Sequence, residues 1–116
     1  TKSIEIVYGL RNFIGNANKF SKNTVYINLK SDSEITEVII EDDGNGYPRD
    51  VLSKIGEPYL STNYPQEKPK TGLGLGLFIG KTLLEKNFAS INCRNSKTRS
   101  GAEVVVRWNN RDLFNI

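Results

Sequence analysis

An acid ends a strand in a row where the fold calls for apolar side chains. Residues 35–42 alternate, with Ile35, Glu37, Ile39 and Glu41 on one face and Thr36, Val38, Ile40 and Asp42 on the other. The second face is the more apolar, so Asp42 continues a core-facing row. A carboxylate there is costly unless a specific donor meets it. The turn cluster Asp42-Asp43-Gly44-Asn45-Gly46-Tyr47-Pro48 follows at once. Residues 24–30 also alternate, with Val25, Ile27 and Leu29 opposed to Thr24, Tyr26, Asn28 and Lys30. Residues 88–95 and 102–108 do the same, and Ala102, Val104, Val106 and Trp108 form an inner row.

Helical spacing lies between and before these strands. Leu10, Phe13, Ile14 and Ala17 recur at i, i+3, i+4 and i+7 in residues 4–20. Ser3 suits an N-cap and Glu5 the first turn. Asn12, Asn16 and Lys19 form a polar stripe on another face. Residues 48–54 suit a short helix. A glycine-rich turn, Gly72-Leu73-Gly74-Leu75-Gly76-Leu77, opens another helix. Its expected buried stripe is Leu75, Phe78, Ile79, Thr82 and Leu83, and Asn87 is its expected C-cap. The intermixing predicts an α/β (α+β) two-layer sandwich: a mixed β-sheet with helices packed on one face and the other face wet. Residues 57–71 are polar, hold Pro58, Pro65 and Pro69, and read as a long loop of the kind used for lids.

Composition closes off several classes. The chain has 116 residues, one domain's worth, with 37% hydrophobic and 25% charged residues. One cysteine excludes an internal disulfide framework. There is no histidine, which excludes histidine catalysis and histidine-based zinc sites within this chain. No apolar run approaches the roughly 20 residues of a membrane span, and no signal peptide is visible. The net charge of +3 favours anionic ligands only mildly.

Two nucleotide motifs are imitated and rejected. Gly80-Lys81-Thr82 resembles the end of a P-loop, but Leu75 stands where its first glycine belongs. Counting from Gly74 and Gly76, the third Rossmann glycine would be Ile79. Cys93 and Trp108 read as packing residues.

Three features remain in order: an asparagine-bearing helix, an Asp-x-Gly-x-Gly turn after a strand, and a glycine-rich turn opening a helix. Each has an ordinary reading alone, as a turn, a hinge or a cap. Together they resemble the ATP-binding domain of the GHKL superfamily (gyrase, Hsp90, MutL, histidine kinases), the Bergerat fold. The histidine-kinase N-box is similar to Asn12-Phe13-Ile14-Gly15-Asn16-Ala17-Asn18-Lys19-Phe20-Ser21, and the G1 box to Asp42-Asp43-Gly44-Asn45-Gly46. The F-box resembles Glu57-Pro58-Tyr59, and the G2 box resembles residues Gly72 to Leu77. The segments 56–62 and 75–85 look closest to the RegB/PrrB type of redox-responsive sensor kinase.

The resemblance implies roles. Asp42 would accept from the adenine amino group, and guanine would present an acceptor there instead. Gly44 and Gly46 would let the backbone approach the base. Asn16 would give its amide oxygen to Mg²⁺, a hard cation. Lys19 would contact phosphate and Phe20 would pack on the nucleotide. Tyr59 and Leu77 join the expected ATP site through their boxes. Gly72, Gly74 and Gly76 would hinge the lid and offer N–H groups to phosphates. Lys68 and Lys70 are further phosphate candidates. Asn12 stands where related hydrolases and anti-sigma-factor serine kinases carry a glutamate base. An amide cannot act as that base, so Asn12 argues for an acceptor that needs none, such as imidazole. Catalysis by Asn12 and Lys19 would then be positioning and charge stabilisation. Departures from the family pattern are Gly15, Asn63 and Ala102.

The resemblance therefore implies a single catalytic ATP-binding domain over residues 1–116, a fragment of a longer sensor histidine kinase of a two-component system. The dimerisation and phosphoacceptor domain would lie elsewhere, and the cognate response regulator would be the downstream partner. The full-length protein would be a homodimer anchored at the inner membrane, with this domain cytoplasmic and without a nucleic-acid partner. Two rivals stand beside it: a stand-alone serine kinase acting on an anti-sigma partner, and a non-enzymatic RNA-binding or interaction module using the sheet face.

Overall fold

The computed structural model describes residues 2–55 and 73–114. Helix α1 spans Lys2–Phe20, so Ser3 lies inside its first turn rather than capping it. Strand β1 is Val25–Ser31 and β2 is Ile35–Asp42. The two pair antiparallel, from Val25 opposite Asp42 to Ser31 opposite Thr36. Asp32 shapes the connection: its Oδ1 accepts the N–H groups of Glu34 and Ile35, both at 2.8 Å. Those bonds, Ile35 first, hold its carboxyl below the usual range.

Helix α2 is Arg49–Ile55, α3 is Leu73–Lys86, β3 is Ser90–Asn95, β4 is Ala102–Asn109 and α4 is Asn110–Leu113. The sheet order is β1-β2-β4-β3, and all three pairings are antiparallel. The expected mixed sheet is thus corrected. β2 and β3 do run the same way across the α2–α3 crossover, but β4 is inserted between them and opposes both.

The core lies between the sheet and the pair α1 and α3. Phe13, Ile40, Leu77, Leu84 and Val106 are at most 1% exposed. The two helices approach closely because glycine faces the contact. A Cβ at Gly9 would lie 2.6 Å from Leu84 Cγ, and one at Gly80 would lie 2.9 Å from the Phe13 ring. This shifts the buried side of α3 from the expected stripe. Leu77, Gly80 and Leu84 face inward, while Ile79 and Thr82 are exposed. Apolar periodicity misses this phase because glycine contributes contact without contributing hydrophobicity.

The C-terminus of α3 turns on Phe88, which takes the left-handed conformation at φ 73. Asn87 caps in a different sense from that expected. Its Nδ2 donates to the Leu83 carbonyl, and its own carbonyl accepts from Trp108 Nε1. Trp108 is therefore core packing with its polar edge satisfied.

The inner row of edge strand β1 is only partly covered, since Ile27 and Leu29 are exposed. On the outer face, Glu37 pairs with Arg107 and Arg94 with Glu103 across adjacent strands. That face is not wet throughout. Glu41 is 8% exposed, covered by the β3–β4 turn: Ser96 Oγ donates to its Oε2 at 2.9 Å, and Arg99 Nε lies 3.7 Å away. The Arg99 guanidinium also stacks 3.6 Å from the centroid of the Tyr26 ring.

Candidate nucleotide-binding site

The end of β2 is built to hold a carboxylate. Asp42 is 4% exposed, and its Oδ1 accepts the N–H of Gly44 at 2.8 Å and of Ala102 at 3.3 Å. These are the donors that a core-facing acid requires. The close fit extends to Gly101, where a Cβ would sit 2.3 Å from the same oxygen.

The adjoining acid works differently. Asp43 accepts the N–H groups of Lys22, Asn23 and Thr24 at 2.9 to 3.2 Å. It ties the link between α1 and β1 to the end of β2. These bonds, Asn23 first, hold its carboxyl below the usual range. Gly44 packs against the last turn of α1, where its Cβ would lie 2.1 Å from the Phe20 carbonyl oxygen. Gly46 takes φ 80, open to glycine at little cost.

A small cleft forms here, lined by Asn16, Ala17, Phe20, Asp42, Gly46, Tyr47 and Ala102. Four expected residues thus meet: Asn16 and Phe20 from α1, Asp42 from β2, and Gly46 from the turn. Asn16 packs against α3, since a Cβ at Gly76 would lie 2.9 Å from its Oδ1. Among the described residues its Nδ2 is buried without a hydrogen-bond partner. A polar group entering the cleft could meet that N–H.

Asn12, Lys19 and Leu77 do not line the cleft. Asn12, one turn back on α1, donates from Nδ2 to the Tyr8 carbonyl at 2.8 Å. Lys19 is exposed, with its ammonium 5.3 Å from the Phe20 ring centroid. Leu77 is 1% exposed within the core and does not line the cleft. Gly74 falls in the first turn of α3. Tyr59, Lys68, Lys70 and Gly72 lie outside the described residues.

Two residues of the site were not among those expected from the sequence. Tyr47 is 7% exposed in the cleft wall, and burial raises its phenol far above the usual range, aided by Cys93 and Asp42. Asn95 bonds the Tyr47 backbone from across the fold. Tyr47 could have been suspected as the one large apolar residue in a turn cluster. Nothing local marks Asn95.

Comparison with known proteins agrees with this geometry. The family model for the histidine kinase-, DNA gyrase B-, and HSP90-like ATPase matches residues 1–112. The sensor histidine kinase RegB of Cereibacter sphaeroides is 36% identical over 119 residues, covering 90% of this chain and 26% of the relative. The sensor protein kinase PilS of Pseudomonas aeruginosa is 32% identical over 99 residues, covering 79% of this chain and 18% of that one. The chain thus spans about a quarter or less of the length of these relatives. Among solved structures, the catalytic domain of histidine kinase ThkA superposes with a TM-score of 0.67 at 20% identity, covering 91% of this chain and 66% of that one. The mycobacterial sensor histidine kinase MprB gives 0.64 at 23% identity, covering 88% and 70%. The fold is shared with both. With a family model across nearly its whole length and RegB relatives at this identity, the chain belongs to the histidine kinase-, DNA gyrase B- and HSP90-like ATPase family, as an ATPase domain homologous to those of sensor histidine kinases.

Proposed function

We propose that the chain binds Mg·ATP in the cleft and presents the γ-phosphoryl group to a histidine on a separate dimerisation domain. The observation that carries this is the buried Asp42 carboxylate in one cleft with Asn16, whose Nδ2 has no partner among the described residues. Both backbone donors bond Oδ1 of Asp42. Oδ2 would then accept from the adenine amino group, and the discrimination against guanine follows from donor and acceptor matching.

The residues fit a divalent cation. Asn16 would offer its amide oxygen to the cation, and its Nδ2, a donor without a partner among the described residues, suits a phosphate oxygen rather than the metal. When bound, Mg²⁺ neutralises phosphate charge. Lys19, in the last turn of α1, would add a positive charge at the cleft edge. Asn12 would orient rather than deprotonate, because an amide has no basicity near neutral pH. Imidazole attacks phosphorus without a strong base, so an amide here suits a histidine acceptor. The phosphoryl group would pass on to a response regulator, and the RegB kind of sensor kinase is favoured by the names of two relatives.

The chain has no histidine of its own. It should therefore bind nucleotide but form no phosphohistidine alone. The outer sheet face lacks an open stacking platform at Tyr26, since Arg99 already covers that ring, which disfavours an RNA-binding role.

The test is titration with a non-hydrolysable ATP analogue of the wild type and of Asp42→Asn. Affinity should fall by about tenfold or more in the variant, as for loss of a charged hydrogen-bond acceptor. Equal affinities would remove the adenine assignment. Phosphotransfer to a histidine-bearing helical hairpin, and not to a serine-bearing protein, then identifies the acceptor.

A further inference from the structure

The turn at residues 43–48 borders the cleft without belonging to a strand or helix. Its backbone must be held by something else. Asp42 holds its Gly44 end, and Asn95, the last residue of β3, holds its Tyr47 end. Asn95 Oδ1 accepts the Tyr47 N–H at 2.6 Å, and its Nδ2 donates to the Tyr47 carbonyl at 3.3 Å. One side-chain amide thus pairs both backbone groups of a single residue, as a neighbouring strand would. The same amide lies against Gly46, where a Cβ would come 2.7 Å from Oδ1. Gly46 is left-handed at φ 80, so this packing and its backbone geometry both demand glycine.

Asn95 also connects the two walls of the cleft. Its cross-strand partner is Ala102, whose N–H bonds Asp42. One wall is Asp42 with Ala102, and the other is Gly46 with Tyr47. A single antiparallel pair, Asn95 and Ala102, touches both. The next rung is closed by Ser96 N–H to the Gly101 carbonyl at 2.7 Å. From the opposite sheet face, Glu41 holds Ser96 Oγ. The end of the β3–β4 hairpin therefore fixes the spacing of the two walls.

We propose that Asn95 is a positioning residue of the base site, setting the gap between Asp42 and the Gly46–Tyr47 wall into which the adenine ring enters. This rests on the ATP reading above. Asn95 is exposed, so truncating it removes no core packing. It makes no claim on the phosphates, and the Mg²⁺ dependence should not change.

The experiment titrates a non-hydrolysable ATP analogue into the wild type, Asn95→Ala, Asn95→Asp, Asp42→Asn and Val105→Ala. Amide exchange of Tyr47 is measured in parallel without nucleotide. Asn95→Ala should weaken analogue binding by about threefold to tenfold and speed Tyr47 exchange, with a small change in melting temperature. Asn95→Asp keeps the acceptor for the Tyr47 N–H and should lie nearer the wild type. Val105 is buried away from the cleft, so Val105→Ala should lower stability and leave affinity unchanged. If Asn95→Ala binds like the wild type while Asp42→Asn is weakened, the positioning role is wrong and the ATP reading stands. If Val105→Ala costs as much affinity as Asn95→Ala, general loosening explains the loss and the role is again wrong. A wild type that fails to bind the analogue removes the ATP reading, and the positioning role with it.

Discussion

Gly101 lies flat against Asp42: a Cβ on Gly101 would come 2.0 Å from the Asp42 carbonyl oxygen and 2.3 Å from its Oδ1. The contact joins the β3–β4 turn to the end of β2, and it leaves neither residue room to move. Gly101→Ala should therefore push the turn off the strand. A clash with backbone cannot be relieved by a rotamer change, so the expected cost is about 1–3 kcal/mol of stability in urea denaturation. Because the displaced strand end carries Asp42, affinity for an ATP analogue should fall as well. Unchanged stability together with unchanged affinity would show that the turn yields freely.

Asn16 lines the cleft, and among the described residues its Nδ2 has no partner. Asn16→Asp replaces a neutral oxygen donor by a charged one. With Mg²⁺ the carboxylate is a better ligand, and without it the carboxylate repels phosphate. The ratio of analogue affinities at saturating and trace Mg²⁺ should widen by about tenfold or more over the wild type. A ratio equal to that of the wild type would count against Asn16 as the metal ligand.

Much of this site was legible because its residues violate ordinary patterning. Asp42 in an apolar row has no cheap account except a built-in donor set, and the structure supplies Gly44 and Ala102. Asn16 and Phe20 share a helix with a clean apolar stripe, so their positions followed from its period. The phase of α3 was not legible, because Gly76 and Gly80 pack against α1 with no hydrophobic signal. Neither was the insertion of β4 between β2 and β3, since alternation reports a strand's faces and not its neighbours. Asn95 was hidden for the same reason. Its partner Tyr47 is 48 positions away, and only the topology brings them together.

Cys93 packs against the core, and burial pushes its thiol up to about 12. At pH 8 the folded protein would hold very little thiolate. A thiol reagent should react with the native protein at least about a hundredfold more slowly than with the urea-unfolded chain. Comparable rates would show that the strand opens readily around Cys93.

The acid limb of stability should carry the mark of Asp43. Three backbone N–H groups hold its ionised form, so its carboxyl titrates below the ordinary 3.8 in the folded protein. The ionised group therefore favours the folded state. Its contribution is full above 3.8 and is lost as the pH falls through the depressed folded value. Asp43→Asn keeps the shape and an acceptor oxygen but not the charge, so it imitates the protonated acid. The wild type should melt above the variant at pH 6, by an amount that stays level down to about pH 5. The gap should then narrow steadily and nearly close at the acid end. Other acids with lowered values, such as Asp32 and Glu5, are present in both proteins and cancel in the difference. A gap that does not change with pH would mean that Asp43 holds the α1–β1 link by shape rather than by charge.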